Sequence, residues 1–299
     1  MAKLDLSIII LNYNTCDLLR ACLQSVNRSI LGEYRIEVIV VDNASRDGSA
    51  PMVAKEFPEV SLIKSSKNLG FAAGNNLAIA QIKGRYVLFL NPDTLIEKET
   101  LKVMLDFMEK QSQAALSTCR VELPNGEIDK GCHRGFPTPW NAFCHFSGLE
   151  EIFPRNRLFA GYLLDGRLTN RIHQIDACVG AFLLIRREWG DRVGWWDEDY
   201  FWYGEDLDFC YRVKQAGGKI FYVPKTKMIH YKGASSGMRK HQNLAPVAKE
   251  VRIRAVKASV QAMRIFYQKH YQRKYGRLVL WLVLAGINLL EKIRERRMK

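Results

Sequence analysis

The sequence contains no run of about 20 apolar residues, the length a bilayer-crossing helix needs; the apolar run 278–290 stops at thirteen. Its opening carries no signal-peptide pattern either, because the apolar stretch 8–11 is short and Asp5 interrupts its approach. The expected location is therefore cytoplasmic, peripheral on the inner face of the plasma membrane. Cysteine is sparse and unpaired in number: seven residues with no CxxC spacing make no disulfide framework, which favours a reducing compartment. Cys132-His133 and Cys144-His145 do not match a standard zinc-finger spacing. Nor does G-x-G-x-x-G follow the first predicted strand, which argues against a nicotinamide-dinucleotide enzyme.

What is present is the composition of a folded protein, with 47% hydrophobic and 25% charged residues over 299 positions. The net charge of +14 is not spread evenly. Residues 249–299 hold fourteen Lys and Arg against three Glu, or +11, leaving the rest close to neutral. A nucleic-acid binder would rest on that charge alone, since aromatics and cations do not interleave on the predicted catalytic face; no nucleic-acid partner is expected.

From the N-terminus the pattern alternates strand and helix. Residues 6–13 read as a fully buried parallel strand, and Thr15 as the cap of a helix with Leu18, Leu19, Cys22, Leu23 and Val26 inward. Strands follow at 36–41, 60–64 and 86–90, with a helix reaching about residue 82. This rhythm predicts a doubly wound α/β sheet, whose ligands lie beyond the carboxyl ends of the strands. Three strands end in Asn12, Asp42 and Asp93, and a glycine-rich loop, 68–76, follows another. Singly these are ordinary turn residues; together they favour a nucleotide site. Further on, 124–126 is a predicted hairpin turn, 137–140 a loop, 176–186 a strand, and 219–223 and 227–231 two short strands. Within 176–186, Gly180 leaves room for a ligand to approach the backbone.

The stretch 203–212 concentrates chemistry. Glu205, Asp206 and Asp208 fall in the first turn of a predicted helix, where free N–H groups and the macrodipole favour negative charge. Capping and an Asp208–Arg212 pair at i, i+4 would explain them structurally; a carboxylate aimed at one point in an apolar setting is also what general-base chemistry requires. Just before it, Trp195, Trp196, Asp197 and Glu198 mix rings and carboxylates, which suits either a sugar platform or a buried aromatic cluster.

These residues resemble the inverting glycosyltransferases of family 2, which have the GT-A nucleotide-sugar-binding fold. The similarity spans about residues 4–240. It is carried by Ile10-Leu11-Asn12-Tyr13-Asn14, Val40-Val41-Asp42-Asn43-Ala44-Ser45, Asn68-Leu69-Gly70-Phe71, Leu88-Phe89-Leu90-Asn91-Pro92-Asp93 and Gly204-Glu205-Asp206-Leu207-Asp208. Asn-Leu-Gly-Phe and Leu-Asn-Pro-Asp are closest to the rhamnosyltransferase-like branch that builds bacterial surface polysaccharides. The resemblance implies a GT-A catalytic domain over residues 1–242 and a helical extension over 243–299.

It implies, further, that Asp42 accepts the imide N–H of uracil or thymine, with Asn12, Asn14, Asn68 and Gly70 around the nucleotide. Asn91-Pro92-Asp93 stands in the place of the family's DxD motif, so Asp93 would hold Mg²⁺ or Mn²⁺, joined by His230. Asn91 departs from that motif by one charge, and can still bond a ribose hydroxyl. Asp206 corresponds to the catalytic base, beside Glu205; Gly180, Trp195, Trp196, Asp197 and Glu198 fall to the sugars and Lys232 to a phosphate. The donor would be a dTDP or UDP sugar, with dTDP-rhamnose favoured, and the acceptor a saccharide or polyprenyl-linked hydroxyl. Asn91 and the basic tail also prompt a second reading, a non-catalytic nucleotide-sugar-binding or scaffolding protein at the membrane face.

The tail reads as a basic helix over 247–274, with Val251, Ala255, Ala258 and Ala262 available for packing, followed by the apolar segment 278–290 flanked by cations. That segment either lies on an anionic membrane surface or buries itself against the catalytic domain or a second copy in a homodimer.

Overall fold

The computed structural model describes residues 4–164, 169–231 and 249–298. In chain order its elements are β1 (Leu6–Asn12), α1 (Cys16–Asn27), β2 (Ile36–Asp42), α2 (Ser49–Glu56), β3 (Ser61–Lys64), α3 (Phe71–Asn76), β4 (Tyr86–Leu90) and β5 (Thr94–Ile96). There follow α4 (Thr100–Lys110), β6 (Ala114–Glu122), α5 (Pro139–Phe146), α6 (Leu149–Ile152), β7 (His173–Ile175) and β8 (Phe182–Arg186). Then come α7 (Arg187–Val193), α8 (Glu205–Gln215), β9 (Lys219–His230), α9 (Lys249–Phe266) and α10 (Gln272–Met298). The strands form one sheet in the order β3-β2-β1-β4-β8-β6-β9-β5, with β7 also on β9. The half β3-β2-β1-β4 is parallel, while β8 runs antiparallel to both β4 and β6. A parallel strand covered on both faces must be apolar throughout, and Ile8, Ile9 and Ile10 of β1 are accordingly fully buried.

The mixed sheet matches the expected α/β class, and several local expectations are corrected. Residues 219–223 and 227–231 are one strand, β9, which shifts register against β6 between Cys119 and Arg120; Pro224, which cannot donate to the ladder, lies in the interruption. The strand expected from 176 begins only at Phe182, with Ala177 in an isolated bridge to Arg134. The loop expected at 137–140 ends at Thr138, and Pro139 and Trp140 already belong to α5: Thr138 accepts the N–H of Asn141 at 3.2 Å and Pro139 fills the first turn, where its missing N–H costs nothing. Thr15 does stand at the N-cap of α1, yet its hydroxyl donates to Asn12 Oδ1 at 2.6 Å, and Asp47 accepts the Cys16 N–H instead. The helix expected to reach residue 82 ends at Asn76, with a single 3₁₀ turn at Ile79–Gln81 beyond it.

The tail folds back onto α8. A π-helical turn, Tyr267–Tyr271, joins α9 to α10, which is broken at Gly276 by its positive φ of 75°. Ala255 and Ala262 are buried as expected and Val251 and Ala258 half-buried. Val260, Phe266, Tyr267, Tyr271 and Ile287 enclose Tyr211 of α8 in a second, smaller core. The segment 278–290 is thus two-sided: Leu280, Val283, Leu284 and Ile287 pack against that core, while Leu278, Trp281, Leu282 and Leu289 are exposed. Among the described residues no helix is long and apolar enough to cross a membrane. The expected boundary at 242/243 lies outside the described residues.

Candidate functional site

The carboxyl ends of β1, β2 and β4 deliver their polar groups to one edge, and the loops beyond them border a cleft of about 1280 Å³. Asn12 and Asp42 end paired strands in register. Asn12 Nδ2 donates to Asp42 Oδ1 at 3.1 Å and the Ser45 N–H donates to Asp42 Oδ2 at 3.1 Å. Both residues are buried, and the cleft wall beside them is made by Leu11, Tyr13, Thr15 and Asn43. Asn14 is exposed and accepts the Arg46 N–H.

Asn43 knits the second loop to the third: it donates to Asn68 Oδ1 and to the Gly70 carbonyl, each at 3.1 Å, and accepts the Leu69 N–H. Gly70 is required here twice over. Its φ is 82°, and a Cβ would come 2.4 Å from the Phe201 carbonyl oxygen. That approach lets the Phe71 N–H reach the same carbonyl at 2.8 Å and locks the glycine-rich loop to the segment preceding α8. Asn68, Gly70 and Asn91 all line the cleft.

At the floor, Asp93 Oδ1 lies 3.3 Å from His230 Nε2, and Asp129 Oδ2 lies 3.7 Å from the other ring nitrogen. Burial alone would lower the pKa of His230, but the two carboxylates outweigh it and raise it to about 9. β5 and β9 bring this pair together, since Thr94 is in register with His230. A ligating carboxylate and a histidine backed by a second carboxylate suit a divalent cation. They make only a partial set: among the described residues no group of three or more His, Cys, Asp or Glu is arranged to hold a metal. Phosphate oxygens commonly complete such a shell.

Gly204 starts α8 with a left-handed turn, φ 83°, and presents Glu205 and Asp206 to the same cleft. Asp206 is fixed by three donors: Arg134 at 2.7 Å and the Gly180 N–H at 3.3 Å on Oδ2, and the Leu207 N–H at 2.7 Å on Oδ1. Desolvation disfavours the Arg134 guanidinium charge, but Asp206 outweighs it and holds Arg134 above the usual arginine range. Glu205 behaves in the opposite way. Its Oε2 is buried without a hydrogen-bond partner, and burial, then the neighbouring Asp206, raise its pKa to about 8. The adjacent carboxylates therefore sit in different surroundings, Glu205 buried without a partner for Oε2 and Asp206 held by three donors.

The sugar-platform expectation is corrected. Trp195 and Trp196 belong to the core: Trp196 stacks on Phe209 at 4.7 Å and meets Phe89 edge-on, and Trp195 packs on Gly190. Asp197 pairs with Lys269 of the tail, and Glu198 accepts from Asn76 at 2.9 Å, so neither borders the cleft. In this segment the rings that do are Phe201, Trp202 and Tyr203, a few residues on. Gly180 is where expected, 3.7 Å from Asp206 Cβ measured from an added Cβ. Lys232 lies outside the described residues. The residues sequence reasoning passed over are Asn43, Arg134 and His145. Asn43 stood in a quoted motif; Arg134 lies 72 positions from Asp206 and has no local signal. His145, which lines the cleft, bonds to the buried Glu150 at 2.9 Å, and the cysteine-histidine pairs form no metal cluster.

A mixed sheet with a nucleotide-type edge, a cation-compatible Asp–His pair and a clamped carboxylate defines a GT-A glycosyltransferase. The chain belongs to glycosyl transferase family 2, whose model matches residues 7–194. It is 28% identical over 228 residues to the N-acetylglucosaminyl-diphospho-decaprenol L-rhamnosyltransferase of Mycobacterium tuberculosis, covering 73% of each chain. To the rhamnosyltransferase WbbL of Escherichia coli K12 it is 26% identical, covering 75% of this chain and 82% of that one. Similar solved structures are S. aureus TarS 1-349 in complex with UDP (TM-score 0.54, 18% identity, 87% of this chain and 65% of that one) and GalNAc-T7 with UDP, GalNAc and Mn²⁺ (TM-score 0.60, 18% identity, 98% and 54%). The chain thus spans less than two thirds of these two structures.

Proposed function

We propose that the protein transfers a sugar with inversion, L-rhamnose from dTDP-rhamnose, to a hydroxyl of a saccharide or lipid-linked acceptor in cell-surface polysaccharide synthesis. The observation that carries this reading is Asp206, held by Arg134 and the Gly180 N–H in the same cleft as Asp93 and His230. The likeness to two rhamnosyltransferases supports the sugar.

In this reading Asp206 takes the proton of the acceptor hydroxyl as the oxygen attacks the anomeric carbon opposite the leaving diphosphate. Glu205, whose pKa burial and Asp206 raise to about 8, keeps its proton near neutral pH and does not compete as base. Asp42 and Asn12 serve the base of the nucleotide, Asn43 and Asn68 hold the loop against it, and Asn91 serves the ribose. Asp93, with His230 once deprotonated, would hold Mg²⁺ or Mn²⁺, which when bound offsets the charge growing on the diphosphate.

Asp206→Asn tests the assignment. Turnover should fall by about 10²–10⁴-fold while dTDP still raises the melting temperature in the presence of Mn²⁺. A variant with undiminished turnover removes Asp206 from the chemistry. Absence of transfer by the native protein with dTDP and UDP sugars, alongside nucleotide binding, would favour the scaffolding alternative.

A further inference from the structure

The cleft is larger than a nucleotide-sugar site requires, small-ligand sites being about 300–1,000 Å³ against 1280 Å³ here. The surplus is an apolar limb between two helices, neither belonging to the sheet. One wall is α5, with Ala142, Phe143 and Phe146; the other is α10, with Leu282, Ile287 and Leu290 among its lining residues. On α10 the lining positions recur at helical spacing from Val279 to Ile293, one continuous face about 20 Å long at 1.5 Å per residue. Phe143, Phe146, Leu282 and Leu289 each remain more than half exposed while bordering the limb.

The limb begins at the catalytic carboxylates. Arg134, bonded to Asp206, lies five residues before the start of α5, and the Pro137 carbonyl between them accepts the Tyr267 hydroxyl of the tail. On the opposite wall an added Gly204 Cβ would meet Ala262 of α9 at 2.9 Å, one turn from Ser259, to which Arg294 of α10 donates at 3.0 Å. Arg294 therefore stands near the start of α8, and the apolar face of α10 runs back from it. Arg294 and Arg254 both line the cleft, and neither has a carboxylate partner among the described residues. One cleft thus holds the clamped Asp206, two guanidinium groups without a carboxylate partner among the described residues, and an apolar channel.

We propose that this limb binds the isoprenoid chain of a polyprenyl-diphosphate-linked acceptor, with Arg294 at its diphosphate and the acceptor sugar at Asp206. This rests on, and sharpens, the transferase reading. The lining supplies a counterpart to each part of such an acceptor, a carboxylate for the sugar hydroxyl, a guanidinium for the diphosphate and an apolar face for the hydrocarbon, and continuity with the cleft distinguishes this face from the outward side of α10, where Trp281 is 65% exposed and takes no part in the lining.

Gly286 supplies the test, because it borders the limb and an added Cβ meets nothing within 4 Å. Gly286→Trp sets a large ring at the limb from a position where the Cβ itself meets nothing within 4 Å. Farnesyl diphosphate, titrated by calorimetry with no donor present, should bind the native protein and bind Gly286→Trp at least about ten-fold more weakly, the equivalent of about two buried methylenes. Arg294→Gln should also weaken it, and Trp281→Ser should not. Transfer is measured separately as the ratio of kcat/KM on a farnesyl-diphosphate-linked sugar to that on the same sugar without lipid; Gly286→Trp should lower this ratio by a similar factor. Equal affinity of native protein and Gly286→Trp for farnesyl diphosphate overturns the proposal even if transfer is robust. So does a loss in Trp281→Ser as large as that in Gly286→Trp, which would assign the lipid dependence to surface adsorption. Tight, Gly286-sensitive binding with no transfer from any dTDP or UDP sugar would instead sustain the channel and sink the transferase reading.

Discussion

Glu205 has a carboxylate oxygen buried without a partner, whereas Asp206, the next residue, is clamped by a guanidinium and two backbone N–H groups. The chain neighbours differ because the helix turns successive side chains about 100° apart, toward different surroundings. Glu205 should consequently mark the pH dependence of stability. Folded, it keeps its proton to about pH 8; unfolded, it releases it near 4.5. Between those values the folded state binds more protons, so stability falls as pH rises, by at most about 1.4 kcal/mol per pH unit. Glu205→Gln should flatten that slope in urea unfolding measured from pH 5 to 8; an unchanged slope would show that the group titrates normally. Gly70→Ala is a second test at this scale. A positive φ and a 2.4 Å contact with backbone should cost about 1–3 kcal/mol, seen as a lower urea midpoint with unchanged m, together with weaker dTDP protection because the loop 68–71 is released from Phe201. The sequence marked Gly70 and the acidic pair as special. It could not supply Arg134, whose ion pair with Asp206 exists only after 72 residues of chain have been folded between them.

α8 presents Glu205 and Asp206 to the cleft at one end and is anchored along its length. Asp208, fully buried, accepts from Arg212 at 2.7 Å as the i, i+4 spacing suggested, and also contacts His270 Nε2 at 2.7 Å, which no local pattern indicates. Arg212 reaches on to the Val193 and Trp195 carbonyls, so the aromatic segment before α8 is tied down by the helix it introduces. His270 sits in the π-helical turn, where the extra residue turns its ring toward α8 and against Tyr211 at 4.4 Å. His270→Ala should destabilise the protein by about 1.5–3 kcal/mol, the range for hydrogen bonds to a charged group, and lower kcat more than it raises the KM for donor, since it loosens the support of Asp206 and not the nucleotide loops. A stability loss with kcat intact would separate the tail from catalysis. Amphipathic spacing foretold α9; its destination could not be read, because an apolar stripe specifies that a partner exists and leaves its identity to shape.

For the molecule as a whole, charge and apolarity are concentrated in one extension. Residues 249–299 carry +11 of the net +14, and they also roof the cleft through α9 and α10. Exposed Leu278, Trp281 and Leu289 adjoin those cations. Each cation near an anionic surface contributes about 1 kcal/mol, screened over about 8 Å at physiological salt. Sedimentation with phosphatidylserine vesicles should therefore retain the protein at low salt and release most of it on raising salt to about 0.5 M, whereas phosphatidylcholine vesicles retain little. Equal retention by both would assign binding to apolar insertion and not to charge, and retention by neither would remove the membrane from the reading of the exposed face.

The alternation of buried strands and amphipathic helices, the polar residues ending β1 and β2 and closing the turn after β4, the glycine-rich loop and the acidic start of α8 were all legible from sequence, because each is set by a local period or a local backbone demand. Tertiary structure alone decided that Trp195 and Trp196 fill the core while Phe201, Trp202 and Tyr203 face the cleft, since all five are aromatic and only the left-handed turns at Trp195, Tyr203 and Gly204 redirect the chain between them. It also decided that the apolar tail segment is a wall of the cleft beyond the strand ends. That depends on the π turn, the break at Gly276 and contacts with Tyr211, geometry that joins residues far apart in the chain and that hydrophobicity by itself cannot encode.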